Sequence, residues 1–188
     1  MKKIILIAAA AILTLSASAQ DLKFAHVNFN ELVMLMPESD QARATIDATQ
    51  KEAEETFNGM YEEFQSKLQQ YQQKSDTWTA AIKQSKEKEL TEIQNRLQEF
   101  QSSVQQELSA KQNELMAPIQ EKAMKAVEKL AKDGGYAFVF DASQFIFAND
   151  AVVVDLTKEA RKALGIPEGR TLETLQAELQ AAQSNKQQ

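Results

Sequence analysis

The longest helical pattern in the chain runs from Gln41 to Lys132, and it limits what the rest of the sequence can build. Good helix formers fill this stretch, and only Gly59 and Pro118 interrupt them. Its apolar residues step alternately by three and four, which keeps one stripe of a helix against a partner helix. The stripe, called the seam below, comprises Phe57, Tyr61, Phe64, Leu68, Tyr71, Leu90, Ile93, Leu97, Phe100 and Val104. The pattern therefore predicts a coiled-coil arm.

The arm can fold as a hairpin or as one long helix. A single helix would be on the order of 135 Å long, at ~1.5 Å per residue. The hairpin is favoured because the seam loses its apolar residues and changes phase between Ile82 and Leu90. In an antiparallel hairpin centred on Ala80 and Ala81, the seam residues of the first helix would also lie opposite those of the second. We therefore predict an antiparallel α-helical hairpin whose tip lies inside residues 75–89.

Residues 1–19 are predicted to be a cleaved secretory signal. Lys2 and Lys3 give a positive start, and the apolar run after them is shorter than the ~20 residues that span a bilayer. Ala17-Ser18-Ala19 is a small-residue cleavage site. The chain has no cysteine, so it has no disulfide, no thiolate chemistry and no lipoprotein anchor. The sequence therefore predicts an exported protein without stable insertion into the membrane.

The exported chain is acidic. Removing Lys2 and Lys3 takes the 21 basic residues to 19, against 27 acidic ones, which gives a net charge of −8. A phosphate backbone or an anionic lipid surface attracts a basic protein rather than an acidic one. The charge therefore argues against nucleic acid as a partner.

Short β-type segments flank the arm. They are residues 22–27, 136–140, 145–148 and 152–154. A short helix is predicted over 28–36, and a last one from Asp155 or Thr157 to Gly165. The predicted class is thus α+β, with a small β-sheet body (residues 20–40 and 133–165), the arm (41–132) and a polar tail (166–188), disordered or loosely helical.

So small a sheet cannot bury both of its faces within one chain. We expect the body to oligomerise through the sheet, which would then be shared between subunits. The apolar residues expected at the shared surface are Phe24, Val27, Phe138, Phe140, Phe145 and Phe147.

No catalytic constellation is visible in the sequence. His26, the one histidine, lies on a predicted strand, where a packed imidazole is the simpler interpretation. Asp141, Asp150 and Asp155 fit turns and a helix cap, and they lack the ligand spacing of a calcium loop. No glycine-rich phosphate loop is present. The sequence therefore predicts neither an enzyme nor a bound metal or other cofactor.

Some apolar groups on the arm are candidates for contact with an unfolded client protein. They are Met60, Tyr61, Phe64, Tyr71 and Trp78. The simpler interpretation of the seam aromatics is that they hold the two helices together. Trp78, however, lies near the tip, where little protein can cover it, and methionine adapts its shape to varied partners. Such an arm would hold a client weakly at many points, without turnover.

Three short motifs then support a resemblance to a known family. They are Phe24-Ala25-His26-Val27-Asn28, Tyr136-Ala137-Phe138-Val139-Phe140-Asp141-Ala142 and Val154-Asp155-Leu156-Thr157. In this order and spacing, from Leu22 to Leu164, the chain resembles the Skp/OmpH family of periplasmic chaperones. The resemblance implies a homotrimer with a β-barrel body and three helical arms, which enclose unfolded outer-membrane proteins.

The chain departs from that family in two respects. The best-known members are strongly basic and this chain is acidic, so no lipopolysaccharide site is carried over. The tail from residue 166 extends beyond the usual family end. Separately, Pro118 lies in the second arm helix, where a proline removes a hydrogen bond and can kink the helix. A hinge for the arms and a fixed kink both remain open for Pro118.

Two functions are weighed on these grounds. The first is a periplasmic, ATP-independent holdase that binds unfolded outer-membrane proteins between its arms and prevents their aggregation. The alternative is a structural coiled-coil protein, either an envelope spacer or an adaptor that docks a fixed partner through its hairpin tip. A spacer should hide its seam, whereas a holdase should expose part of it.

Overall fold

A computed structural model describes residues 22–186, so the predicted signal peptide at 1–19 lies outside the described residues. The elements in chain order are β1 (Lys23–Val27), α1 (Phe29–Leu35), α2 (Pro37–Lys74), a 3-10 turn (Ser75–Thr77), α3 (Ala80–Gly134), β2 (Tyr136–Asp141), a second 3-10 turn (Ala142–Gln144), β3 (Val153–Asp155), α4 (Thr157–Ala163) and α5 (Leu172–Lys186). Long helices with one small sheet confirm the predicted α+β class.

The sheet has three parallel strands in the order β2-β1-β3. Phe24 on β1 lies opposite Phe138 on β2 and Val153 on β3. Parallel neighbours need a long crossover connection, and the whole arm supplies the one between β1 and β2. Because side chains alternate along a strand, Ala25 and Val27 face the helices and are buried, while Phe24 lies on the opposite face.

The body core lies where the root of the arm meets the short helices. Leu32, Leu35 and Met36, from α1 and its C-terminal end, are completely buried at its centre. The other buried members are Val27, Val33, Ala42, Ile119, Ala123, Ala160, Leu164, Ile166 and Leu175. The core therefore joins α1, both arm helices, α4 and the C-terminal segment into one body.

Local sequence sets the sharp corner between α1 and α2. The Asn28 side chain accepts a hydrogen bond from the Glu31 amide at 3.1 Å, which caps α1. Met36 is extended, as favoured before proline, and Pro37 opens α2, where its missing N–H is not needed. The buried Ser39 hydroxyl donates to the Val33 carbonyl and so ties the two helices together.

The predicted strand at residues 145–148 is wrong. After β2 the chain enters the second 3-10 turn and stays irregular until β3 begins at Val153. β2 and β3 each keep one open edge, but this segment pairs with neither of them. Ile146 and Phe147 are consequently exposed, Phe147 to 81%.

The tail, expected to be disordered or loosely helical, is a helix over most of the part that the structure describes. Helix α5 runs from Leu172 to Lys186, and Leu175 is only 3% exposed because it packs into the body core beside Ile166. The Arg170 guanidinium contacts the Asp40 carboxylate at 2.5 Å, in the first turn of α2. The C-terminal segment therefore contacts the root of the arm.

Candidate functional site

The arm is a helical hairpin with a compact turn. Helix α2 ends at Lys74, and α3 begins after Thr79, whose hydroxyl accepts a hydrogen bond from the Ile82 amide at 3.4 Å. The turn therefore lies at the start of the predicted 75–89 range. Its predicted centre at Ala80 and Ala81 is wrong, because Thr79 caps α3 and both alanines are already helical.

Two of the predicted client-binding residues close the tip. The rings of Tyr71 and Trp78 meet edge to face, with centroids 5.8 Å apart and an interplanar angle of 67°. The Tyr71 hydroxyl also donates to Glu87 on α3, so it links the two helices. Both aromatic side chains are half-buried. Tyr71 and Trp78 thus hold the hairpin together at the end that little else covers.

A charged cluster reinforces the outer arm. The Glu89 carboxylate accepts hydrogen bonds from Lys67 on α2 and, at 2.8 Å, from Lys86 on its own helix. The ammonium group of Lys67, which has the larger effect, and that of Lys86 lower the pKa of Glu89 to about 2. Arg96 on α3 lies 3.5 Å from Glu63 on α2 and makes a second cross-link. The outer arm therefore has polar contacts in addition to its seam.

Acidification should loosen this outer part of the arm. The folded-state pKa of Glu89 lies below the ordinary 4.5. Its contribution to the stability of the paired helices is therefore complete above about pH 4.5 and is lost as pH falls towards about 2. Nitroxide labels on Gln70→Cys and Ser85→Cys, in a chain without other cysteines, would report the separation of the helices. We expect a narrow distance distribution at neutral pH that broadens between pH 4.5 and 2.

Glu89→Gln is the matched control for that experiment. It keeps the side-chain shape but removes the charge, so it should broaden the distribution already at pH 7 and flatten the pH response. An unchanged distribution from pH 7 to 2 in the parent chain would show that the Lys67–Glu89 link does not hold the helices.

The middle of the seam is much less covered than its ends. Among the seam-side residues of the described arm, those that are fully buried are Ala42, Ile93, Ile119 and Ala123. Between them, Phe57, Phe64 and Phe100 are only half-buried. Tyr61 stacks on Phe57 with ring centroids 6.3 Å apart, yet it remains 47% exposed. The two helices thus leave apolar surface open along the middle of the arm.

This opening forms a cleft of about 690 Å³ between α2 and α3, called the mid-arm cleft below. Its apolar lining is Ala53, Phe57, Phe100, Val104 and Leu108. A smaller cleft of about 210 Å³ opens on the other side of the same seam and shares Ala53, Phe100, Val104 and Leu108. The small Ala53 side chain lies opposite bulkier residues and leaves the space between the helices unfilled.

The structure places the predicted client-binding residues in two groups. Tyr71 and Trp78 form the tip, whereas Met60, Tyr61 and Phe64 lie along the middle arm, near the cleft. Sequence reasoning assigned the cleft residues to helix pairing alone and did not single out Ala53. The available signal was that small residue, in a seam whose other members are mostly large.

The outer face of the sheet is a second exposed apolar surface. Phe24, Phe138 and Phe140 stack on one another with centroids 6.0 to 6.4 Å apart, and Phe138 is 58% exposed. Phe145 is half-buried, with its ring edge-on to His26 at 5.5 Å. Val27 does not belong to this surface, because it points into the body core.

His26 behaves as a packed residue. Its Nδ1 lies 3.7 Å from the Asp155 carboxylate, which is too far for a hydrogen bond, and finds no hydrogen-bond partner among residues 22–186. Over the same residues, no group of three or more His, Cys, Asp or Glu side chains is arranged to hold a metal ion. None of the helices described is both long and apolar enough to cross a bilayer.

Pro118 lies inside α3, which continues without a break on both sides of it. It is exposed at the root of the arm, in a shallow apolar cavity with Ala42 and Ile119. On the same side, Lys122 donates to Glu38 of α2 and lowers the pKa of that carboxyl group.

Comparison with known proteins identifies the class. The family described as outer membrane protein (OmpH-like) matches residues 23–164, which is most of the chain, so this protein belongs to that family. The chain is also similar to chaperone protein Skp of Yersinia enterocolitica, with 26% identity over 151 residues. That match covers 79% of this chain and 92% of the relative. The resemblance predicted from the three motifs is confirmed, and α5 lies beyond the matched family region.

Proposed function

We propose that this protein is a periplasmic, ATP-independent holdase that binds unfolded outer-membrane proteins between helical arms and prevents their aggregation. Membership of the OmpH-like family and similarity to a Skp chaperone support this class of client. The observation that carries the proposal is the open middle seam with its mid-arm cleft. A spacer would gain stability by closing that seam, because buried apolar area stabilises a coiled coil.

The exposed seam suits weak and repeated contact with an unfolded chain. Phe57, Tyr61 and Phe64 follow one another along α2 and present partly open aromatic surface. Aromatic side chains contribute large apolar area without requiring one fixed partner shape. Holding of this kind needs no energy source, because the client leaves when its own folding buries the same groups.

The proposal includes a homotrimer whose subunits share the sheet as a β-barrel. Its support is the exposed stack of Phe24, Phe138 and Phe140, together with the exposed Phe147 in the segment that has no partner strand. Strands β2 and β3 are both edge strands in the single chain, and open edges favour pairing with another copy. An apolar face of this kind is typical of a protein–protein interface.

A dilution experiment tests the holdase. A urea-denatured outer-membrane β-barrel protein is diluted into buffer with and without the chain lacking residues 1–19, and its light scattering is followed. We expect suppression at a roughly equimolar ratio of trimer to client, with no effect of ATP. Tyr61→Ser should weaken the suppression. Leu179→Ser, which changes an apolar residue of similar exposure outside the arm, should not.

A folded chain that leaves the scattering unchanged would refute the holdase. Circular dichroism establishes that the chain is folded in that case. The alternative, a spacer or an adaptor docking through the tip at Trp78, would then be the better account.

Pro118 is proposed as a hinge that lets the arms spread around clients of different size. Its ring removes the backbone hydrogen bond to the Glu114 carbonyl and so weakens α3 near the body. We expect Pro118→Ala to narrow the distribution of distances between spin labels at the arm tips. Equal distributions in the two chains would favour a fixed kink.

A further inference from the structure

The mid-arm cleft lies in the most acidic part of the arm. Between Arg43 and Lys67 on α2, and between Arg96 and Lys111 on α3, the sequence has eight acidic residues and one basic residue, a net charge of −7. Residues 67–89 at the tip instead have five basic and three acidic residues, a net of +2. Charge is therefore segregated along the arm, and the apolar opening coincides with its negative section.

Carboxylates border both clefts, one on each side of the seam. Glu54 lines the larger opening, while Glu52 and Glu107 line the smaller one. Within residues 22–186, none of the three forms an ion pair, and the Glu54 carboxylate accepts only from the Gln50 amide, at 2.8 Å. All three are exposed. These negative groups are available to a partner, unlike Glu89 at the tip, which two lysines occupy.

We propose that the mid-arm cleft binds client segments in which an aromatic or aliphatic side chain is flanked by lysine or arginine. The inference rests on the proposed holdase function and specifies which client segments it prefers. The apolar side chain would lie on Phe57, Phe100 and Val104, and a cleft of about 690 Å³ is large enough for it. That volume falls within the ~300–1,000 Å³ typical of ligand pockets.

The flanking cations fit the rim for a physical reason. Lysine and arginine lay their aliphatic stems along apolar surface while their charged ends reach out to polar groups. At the mid-arm cleft a charged end would meet the Glu54 carboxylate, while Glu52 and Glu107 add negative charge from the smaller cleft on the other side of the seam. A segment with glutamate or aspartate in the same places would be repelled by them. The same rim thus selects for one sign of charge.

Two synthetic peptides of equal length test the preference, one alternating lysine with phenylalanine and leucine, the other with glutamate in place of lysine. Each carries a fluorophore, and binding to the chain lacking residues 1–19 is followed by anisotropy. At ~50 mM salt we expect the lysine peptide to bind at least about tenfold more tightly. At ~0.5 M salt the difference should shrink, because exposed charges are screened.

Removing the carboxylate charges tests whether the preference for the lysine peptide arises at the cleft. The triple variant Glu52→Gln, Glu54→Gln and Glu107→Gln should weaken binding of the lysine peptide about tenfold, since each exposed pair contributes modestly. The control Glu114→Gln, Glu121→Gln and Glu128→Gln changes the net charge equally but lies outside the cleft, and it should change binding by less than about twofold. Glutamine keeps the size of glutamate, and circular dichroism checks that both variants are folded.

Three outcomes would overturn the inference: equal binding of the two peptides, tighter binding of the glutamate peptide, or equal effects of the two triple variants. The dilution experiment is run on the same preparations. Suppressed aggregation without the peptide preference would refute only the charge selection. Loss of suppression in the parent chain would refute the holdase itself.

Discussion

Replacing Leu32 by alanine should lower the free energy of unfolding by about 3 kcal/mol, within the ~2–5 kcal/mol found for buried leucines. Leu32 is 0% exposed and lies in the core that joins α1 to the arm root and to α4. The substitution would lose the transfer free energy of the leucine side chain, and it would leave a cavity that these packed helices cannot fully close. Urea unfolding followed by circular dichroism measures the change.

Leu179→Ala is the matched control. Leu179 is 40% exposed on α5, and its truncation should cost less than about 1 kcal/mol. If the two alanine variants unfolded at the same urea concentration with equal slopes, Leu32 would not be part of a cooperative core.

Ending the chain at Gly165 should destabilise the body by about 3 kcal/mol. The deletion removes Ile166 and Leu175, both buried, and each buried aliphatic side chain contributes ~1.5–3 kcal/mol, partly offset by the entropy of ordering α5. It also removes the contact of Arg170 with Asp40. The carbonyls of Pro167 and Arg170, which accept hydrogen bonds from the Arg161 guanidinium, are lost as well. Thermal and urea unfolding of the shortened chain give the effect.

A shorter deletion distinguishes the loss of packed residues from the mere shortening of the chain. Ending the chain at Gln180 keeps Leu175 and Arg170, so we expect it to unfold like the full chain. Equal stability of the chain ending at Gly165 would show that α5, which lies outside the matched family region, does not contribute to the body.

Local signals were sufficient for much of the fold. The three-four spacing predicted paired arm helices, and Gly135 ends α3 with a left-handed φ of 68°, as a glycine after a helix predicts. The cap at Asn28 follows from its short polar side chain.

What the sequence did not predict depends on partners distant along the chain. A β-type segment at 145–148 becomes a strand only if the path of the chain brings it alongside an edge of β2 or β3, which local sequence does not encode. The weak leucine repeat of α5 did not reveal that Leu175 packs inward. The mid-arm cleft depends on how Ala53 and Phe100 match in size across two helices, which spacing alone does not describe.

The parallel pairing of β1 with β2 has a consequence for how the chain folds. Bringing two strands together through a flexible connection as long as the arm would cost roughly 4 kcal/mol in loop-closure entropy. A hairpin that forms from the turn at residues 75–79 makes short-range contacts first, and its completion brings β2 alongside β1, with Tyr136 opposite Lys23. During synthesis β1 emerges before the arm and stays unpaired until β2 follows it. Formation of the arm therefore brings the two sequence-distant parts of the body together.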